Sequence, residues 1–200
     1  MDPALQRRLI EEVANAVIRH ADELTTLDQA IGDGDHGLNM KRGAMAVLEQ
    51  LDQLAAKPLP DALKACGQAL VMKVGGASGP LYGTLLMTLG KELPVAPNRD
   101  DLVRAVGAAV EAVKKIGRSE MGQKTLLDVL GPVHAELAAS GPGLPERVRR
   151  RSAAAANATT PMRAIKGRAS FLGERSIGHM DPGARSSSLM IAAVCTVLEE

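Results

Sequence analysis

Apolar positions recur at three- and four-residue spacing along nearly the whole chain, and β-branched alternation is nowhere sustained, so the pattern predicts eight helices and no sheet. Asp2-Pro3 supplies a cap and a first-turn proline, after which Leu5, Leu9, Val13, Val17 and Leu24 mark one face of a first helix. A second helix is expected from about Gly37 to Leu54, stopped by Lys57-Pro58-Leu59-Pro60, and a third from Asp61 to Val74. Ser78 reads as the N-cap of a fourth, which ends near Leu93-Pro94. The fifth spans roughly Arg99 to Ile116, with Leu102, Val106, Val110 and Val113 on one face. The sixth runs from near Thr125 to about Ala139, and Gly131-Pro132 inside it predicts a kink. The seventh covers about Pro145 to Pro161; a long loop, Lys166–Ala184, leads to an eighth with Leu189, Ala193 and Val197.

An up-and-down arrangement of these helices puts alternate connections at the same end. One end then holds the acidic loop after helix 1, Gly75-Gly76-Ala77-Ser78-Gly79, Gly117–Lys124 and the loop before helix 8. The opposite connections, Lys57–Pro60, Leu93–Asn98 and Ser140–Pro145, are proline-rich and chemically plain. Bundle loops need only turn the chain. Segregation of the polar glycine loops therefore predicts one active end on an eight-helix antiparallel barrel or bundle.

The acidic loop, Leu27–Gly43, reads L-D-Q-A-I-G-D-G-D-H-G-L-N-M-K-R-G. Asp28, Asp33 and Asp35 fall within eight residues of one another. Such carboxylates repel unless a cation neutralises them, and hard oxygens suit Mg²⁺ or Ca²⁺. The spacing is not that of an EF-hand. His36-Gly37-Leu38-Asn39 opens a helix whose free N–H groups attract phosphate, which together points to a Mg²⁺–diphosphate site. The plainer alternative is an Asx-turn loop with solvated side chains. Gly75–Gly79 before a helix resembles a phosphate cradle but lacks the lysine of a P-loop, and also suits a simple helix–helix turn. Arg168 and Arg175 offer guanidinium forks for diphosphate oxygens, although lone surface arginines are common. Asp181-Pro182-Gly183 reads first as a turn. His36 and His179 fall in the active loops; hydrogen bonding to phosphate suits His36, beside three carboxylates, better than nucleophilic attack.

Composition narrows the partners. A length of 200 residues with 46% hydrophobic content is enough for one domain with its own core, over residues 1–200. A formal net charge of +1 gives no electrostatic case for nucleic acid or an anionic membrane. Arg147, Arg149, Arg150 and Arg151 read as the wet face of a helix. Cys66 and Cys195 have no metal or redox spacing, no leader is evident and no apolar run could span a bilayer, so a reduced, cytoplasmic protein is expected. Tyr82 and Phe171 are the only aromatics, so a bound base should rest in an aliphatic slot including Leu126 and Met121.

Taken together, D-Q-A-I-G-D-G-D-H-G-x-N, G-G-A-S-G-P-L-Y-G-T and G-R-A-S-F-L-G-E-R-S-I-G-H-M-D-P-G-A resemble the nucleotide-binding L subunit of dihydroxyacetone kinase. The resemblance runs from helix 1 to helix 8. It implies an antiparallel eight-helix barrel with ADP or ATP and two Mg²⁺ ions at one end. It implies Asp28, Asp33 and Asp35 as metal ligands, with His36, Gly37, Leu38, Asn39, Ala77 and Ser78 holding phosphates. Gly117 and Leu126 would flank the base, while Arg168, the catalytic candidate, and Asp181, Pro182 and Gly183 close over the nucleotide. The sequence departs from the family at Gly122-Gln123-Lys124-Thr125-Leu126, where a small residue and Asp are expected before Lys-Thr and Met after it. The departure touches the base-side wall and spares the metal ligands.

Two kinds of kinase use this domain. The chain length, with no substrate domain, resembles the separate subunit of the phosphotransferase-system kind. There ADP stays bound and is rephosphorylated by a phosphohistidine on a donor M subunit. The phosphoryl group then passes to dihydroxyacetone on a K subunit. The alternatives are an ATP-exchanging kinase subunit for another small ketose, and a nucleotide-state sensor that binds a transcription regulator. The resemblance also implies that the chain alone is idle, with an open polar rim that docks on the K subunit.

Overall fold

Asp2 accepts the Leu5 amide through its carboxylate and Pro3 opens the first turn, so α1 (Pro3–Arg19) starts where its cap predicts. The apolar pattern continues through Leu24, but the helix does not. At His20 φ is −105° and ψ 13°; its Nδ1 lies 2.8 Å from the Ala16 carbonyl, and α2 (Ala21–Ile31) sets off separately. The second expected helix is also split, into α3 (His36–Leu48) and α4 (Leu51–Ala55), where Gln50 leaves the helical region at φ −110°. Apolar periodicity misses such breaks because both pieces go on burying residues at helical spacing.

The remaining six are α5 (Leu59–Lys73), α6 (Ser78–Glu92), α7 (Arg99–Gly117), α8 (Leu127–Ala138), α9 (Leu144–Ala158) and α10 (Pro182–Glu199). A 3₁₀ stretch, Arg168–Ser176, lies in the long loop before α10. The computed structural model describes residues Met1–Glu200, contains no strand, and bears out the all-helical expectation. Pro132 sits inside α8 without ending it.

Each helix packs on the next in a ring: α1 on α3, α3 on α5, then α5 through α10 in order, with α10 returning onto α1. The closed ring buries Val17, Met40, Leu54, Val113 and Leu127 in one cluster and Val129, Val133, Ala156 and Ala184 in another. Full burial of each large aliphatic is worth about 1.5–3 kcal/mol. Close approach is built in at Gly37, where a Cβ would stand 1.9 Å from the Ala21 carbonyl, so α3 lies directly on the backbone of α2. Cys66 and Cys195 are buried and unpaired. The arginine cluster is only partly a wet face. Arg147 pairs with Glu136 at 2.7 Å and donates to the Ala139 and Pro142 carbonyls, and Arg149 pairs with Glu199; Arg150 and Arg151 are exposed.

Alternation around the ring has an electrostatic consequence. The N-termini of α3, α6, α8 and α10 fall at the end where the acidic loop lies, and residues at each of these starts line one cleft. Each N-terminus carries roughly half a positive charge and unpaired N–H groups.

Candidate functional site

Asp28 organises the acidic loop from the last turn of α2. Its buried carboxylate accepts the N–H of Asp35 at 2.8 Å and of His36 at 3.1 Å, which folds the chain back so that α3 begins at once. Gly34, at φ 75°, makes the turn possible. One carboxylate oxygen from each of Asp28, Asp33 and Asp35 lies within 4.8 Å of the other two. Asp35 makes no side-chain capping bond, and Asp33 meets only the Arg168 guanidinium, at 3.1 Å. Three converging hard oxygens with this little internal compensation fit a small divalent cation such as Mg²⁺.

The cleft beside them has a volume of about 160 Å³. Its walls come from all four connections at that end: the acidic loop, Gly75–Ser78, Lys124–Leu126, and Lys166–Ala169 with Asp181–Gly183. Of the residues expected at the site, Gly37, Leu38, Asn39, Gly117, Met121, Arg175 and His179 do not line it. Gly37 packs against α2, and Asn39 is buried against Gly75. Gly117 stands beside Leu81, itself a cleft residue. Leu38 is 58% exposed and Phe171, three residues after Arg168, is 90% exposed, so the rim is not wholly polar as expected.

Several side chains take roles that the sequence did not disclose. Ser78 is the first residue of α6 rather than its cap, and its Oγ lies 3.0 Å from His36 Nδ1. His36 Nε2 lies 2.9 Å from Ser186 Oγ, so both ring nitrogens are engaged. Burial lowers the imidazole's pKa, opposed by the charges of Asp28 and Asp35. His36 thus braces the Ser78 hydroxyl at the cleft instead of presenting a free nitrogen. Tyr82 continues the network: its hydroxyl donates to the Gly183 carbonyl at 2.9 Å and lies 2.7 and 2.8 Å from the Ser186 and Ser187 hydroxyls. Its signal was a lone tyrosine in the glycine-rich segment and a serine run in an otherwise apolar helix.

Asp181-Pro182-Gly183 is a helix start rather than a turn. Asp181 caps α10 by accepting the Ala184 N–H at 2.6 Å, Pro182 fills N1, and Gly183 has no positive φ. Thr125 likewise precedes its helix: its Oγ1 accepts the Leu127 N–H at 3.2 Å while Asp128 accepts the Thr125 N–H at 2.7 Å. Leu126 lines the cleft, but Met121 does not; it packs over Gly131 and borders a separate recess. Leu81 replaces it in the apolar wall.

The DAK2 domain family pattern matches residues 30–196. The chain belongs to that family. The DAK2 chain is 41% identical over 188 residues to the "PEP-dependent dihydroxyacetone kinase 1, ADP-binding subunit DhaL" of Listeria innocua serovar 6a, covering 94% of this chain and 92% of that one. It is 39% identical over 188 residues to the "PEP-dependent dihydroxyacetone kinase, ADP-binding subunit DhaL" of Escherichia coli K12, covering 90% of each. The crystal structure of the dihydroxyacetone kinase from C. freundii in complex with AMP-PNP and Mg²⁺ matches with a TM-score of 0.79 and 25% identity, over 96% of this chain and 34% of that chain. No helix of the DAK2 chain is long and apolar enough to cross a membrane.

Within the DAK2 chain, Asp181 makes a pH prediction. Burial pushes its carboxyl up to about 7, with the charges of Asp128 and Asp28 adding to the rise and the Ala184 N–H and Lys124 opposing it. A carboxyl raised on folding contributes stability that is complete below its unfolded value near 4 and is lost as pH rises toward 7. Asp181→Asn keeps the cap acceptor and removes that titration. In cation-free protein it should shrink the fall in Tm between pH 4 and pH 8; an unchanged fall would contradict the assignment.

Proposed function

We propose that the chain is the ADP-bearing subunit of a phosphoenolpyruvate-dependent dihydroxyacetone kinase, acting in the cytoplasm as a single ADP- and Mg²⁺-binding domain. The observation that carries this is the convergence of three carboxylates, four helix N-termini and one guanidinium on a single cleft. Phosphoryl transfer needs charge neutralisation and positioning more than covalent chemistry, and these are the groups the cleft supplies.

Asp28, Asp33 and Asp35 would hold two Mg²⁺ ions, which when bound neutralise phosphate charge. The first turn of α6 opens at Ser78 on the cleft, where its N–H groups would donate to diphosphate oxygens, whereas at α3 the His36 N–H is already given to Asp28. The Ser78 hydroxyl, braced by His36, adds a donor. Leu126 and Leu81 form an apolar wall for the base. Arg168, 68% exposed and held only by Asp33, can exchange that anion for a phosphoryl oxygen cheaply, since exposed ion pairs contribute about 0–1 kcal/mol. Bound ADP would be rephosphorylated in place by a phosphohistidine on the donor M subunit. Its γ-phosphoryl group would then pass to dihydroxyacetone on the K subunit.

With Asp33 and Asp35 taken up by Mg²⁺, no group in the cleft would be free to activate a sugar hydroxyl. Asp28 holds two amides, Asp181 caps α10, and both nitrogens of His36 are engaged. A general base must reach the proton it takes. The purified chain with ATP and dihydroxyacetone should therefore give no dihydroxyacetone phosphate, and activity should appear on adding the K subunit. Turnover by the chain alone, free of contaminating kinase, would refute the assignment. ADP retained through gel filtration separates this function from that of an ATP-exchanging kinase.

A further inference from the structure

Lys124 is the largest side chain that the fold buries completely, with 1% of its surface exposed. Its backbone sits at φ 61°, a left-handed conformation that costs a non-glycine residue about 1 kcal/mol or more. The ammonium donates to three main-chain carbonyls: Ser176 at 2.6 Å, Met162 at 3.0 Å and Thr160 at 3.5 Å. No carboxylate forms an ion pair with it, and burial lowers its pKa. The charge of Asp181 favours the ammonium without pairing with it directly, and an apolar side chain would fill the same space at less desolvation cost.

The positions of the three acceptors explain it. Thr160 and Met162 begin the strap between α9 and α10, and Ser176 ends its 3₁₀ stretch. The ammonium joins the two, and the segment between them carries Arg168 to the mouth of the cleft. Ser176 reinforces the closure: its hydroxyl accepts the Ala164 N–H at 2.8 Å and donates to the Gly173 carbonyl at 2.7 Å. The strap's ends are also joined by the Gly178 N–H to the Thr160 carbonyl at 2.9 Å, and Ala164 and Ala169 pack on Ile31, while Gly167 at φ 70° and Gly173 at φ 57° turn the chain between them. Once both ends are joined, its tip has little freedom left to lose. Lys124 borders the cleft as well, but its three protons already have acceptors, so it does not act as a P-loop lysine does on phosphate.

We infer that Lys124 is a positioning residue for phosphoryl transfer, its ammonium clamping the Thr160, Met162 and Ser176 carbonyls so that the strap holds Arg168 over the cleft. The inference rests on the function proposed above for Arg168, and its test has one arm that reads no turnover. In that arm, trypsin cleavage after Lys166 and Arg168 in the full-length chain follows the population of the opened strap. Lys124→Met, checked for wild-type helicity by circular dichroism, should speed cleavage about tenfold or more.

In the second arm, phosphoryl transfer is measured with the donor and acceptor subunits present. Lys124→Met should lower kcat about 100-fold while changing the nucleotide KM far less. The double variant Lys124→Met/Arg168→Ala should be no slower than Arg168→Ala alone, since both changes remove one effect. Losses that multiply in the double variant, or wild-type kcat in Lys124→Met, would overturn the inference. Wild-type turnover in Arg168→Ala would instead refute the role given to Arg168, while trypsin would still decide whether Lys124 holds the strap. Should Lys124→Met not fold, Ser176→Ala carries both arms. Faster cleavage with a kcat loss masked by Arg168→Ala supports the clamp, and wild-type behaviour in both overturns it.

Discussion

Asp35→Asn should abolish Mg²⁺-dependent nucleotide binding while leaving the helical fold intact. The three carboxylates are not equivalent as targets. Asp28 also holds the Asp35 and His36 amides, and Asp33 also pairs with Arg168, so changing either disturbs more than a cation site. Asp35 is exposed and makes no side-chain cap bond at the start of α3, where asparagine is equally acceptable. Removing a direct anionic ligand should cost more than the roughly 10–100-fold in affinity that follows loss of an outer partner. Calorimetric titration with ADP in Mg²⁺ and in EDTA measures it. Equal ADP affinity in the variant and the parent, under both conditions, would remove Asp35 from the site.

Arg168→Ala should leave ADP bound and lower phosphoryl transfer about 10³-fold, the scale at which an arginine stabilises a phosphoryl transition state. The geometry separates binding from turnover. The cluster of carboxylates and the starts of α3 and α6 lie on rigid helices, whereas Arg168 arrives on a 3₁₀ strap and is mostly exposed. Steady-state assays with the partner subunits present measure the effect on kcat. A variant that binds ADP weakly yet transfers normally would assign Arg168 to ground-state binding instead.

What was legible from sequence was chemistry confined to a few neighbouring residues, together with topology. Asp28, Asp33 and Asp35 fall within one turn of chain, so their convergence needed no knowledge of the fold. The segregation of glycine loops to one end followed from counting helices, and it survives the splitting of two of the eight, since residues of all four connections still line one cleft. Contacts between distant residues were not legible. His36 and Ser186 are 150 positions apart, and only their packing shows that the imidazole is spent on hydroxyls. The other ring nitrogen meets the Ser78 hydroxyl, and Ser78 is the first residue of α6 rather than its cap. Met121 does not reach the cleft because it packs over Gly131 of α8 and borders a separate recess. Lys124 read only as the end of a connection because nothing local marks a lysine whose three acceptors lie 36 to 52 residues away.

Under the proposed function one cleft, at the end where the acidic loop lies, holds ADP with Mg²⁺. Native mass spectrometry of the purified chain incubated with ADP and Mg²⁺ tests it most directly. The expected dominant species carries one ADP and two Mg²⁺ and is reduced to the bare chain by Asp35→Asn. A parent chain that remains bare at saturating ADP and Mg²⁺, or an Asp35→Asn chain that carries the same complement, would contradict it.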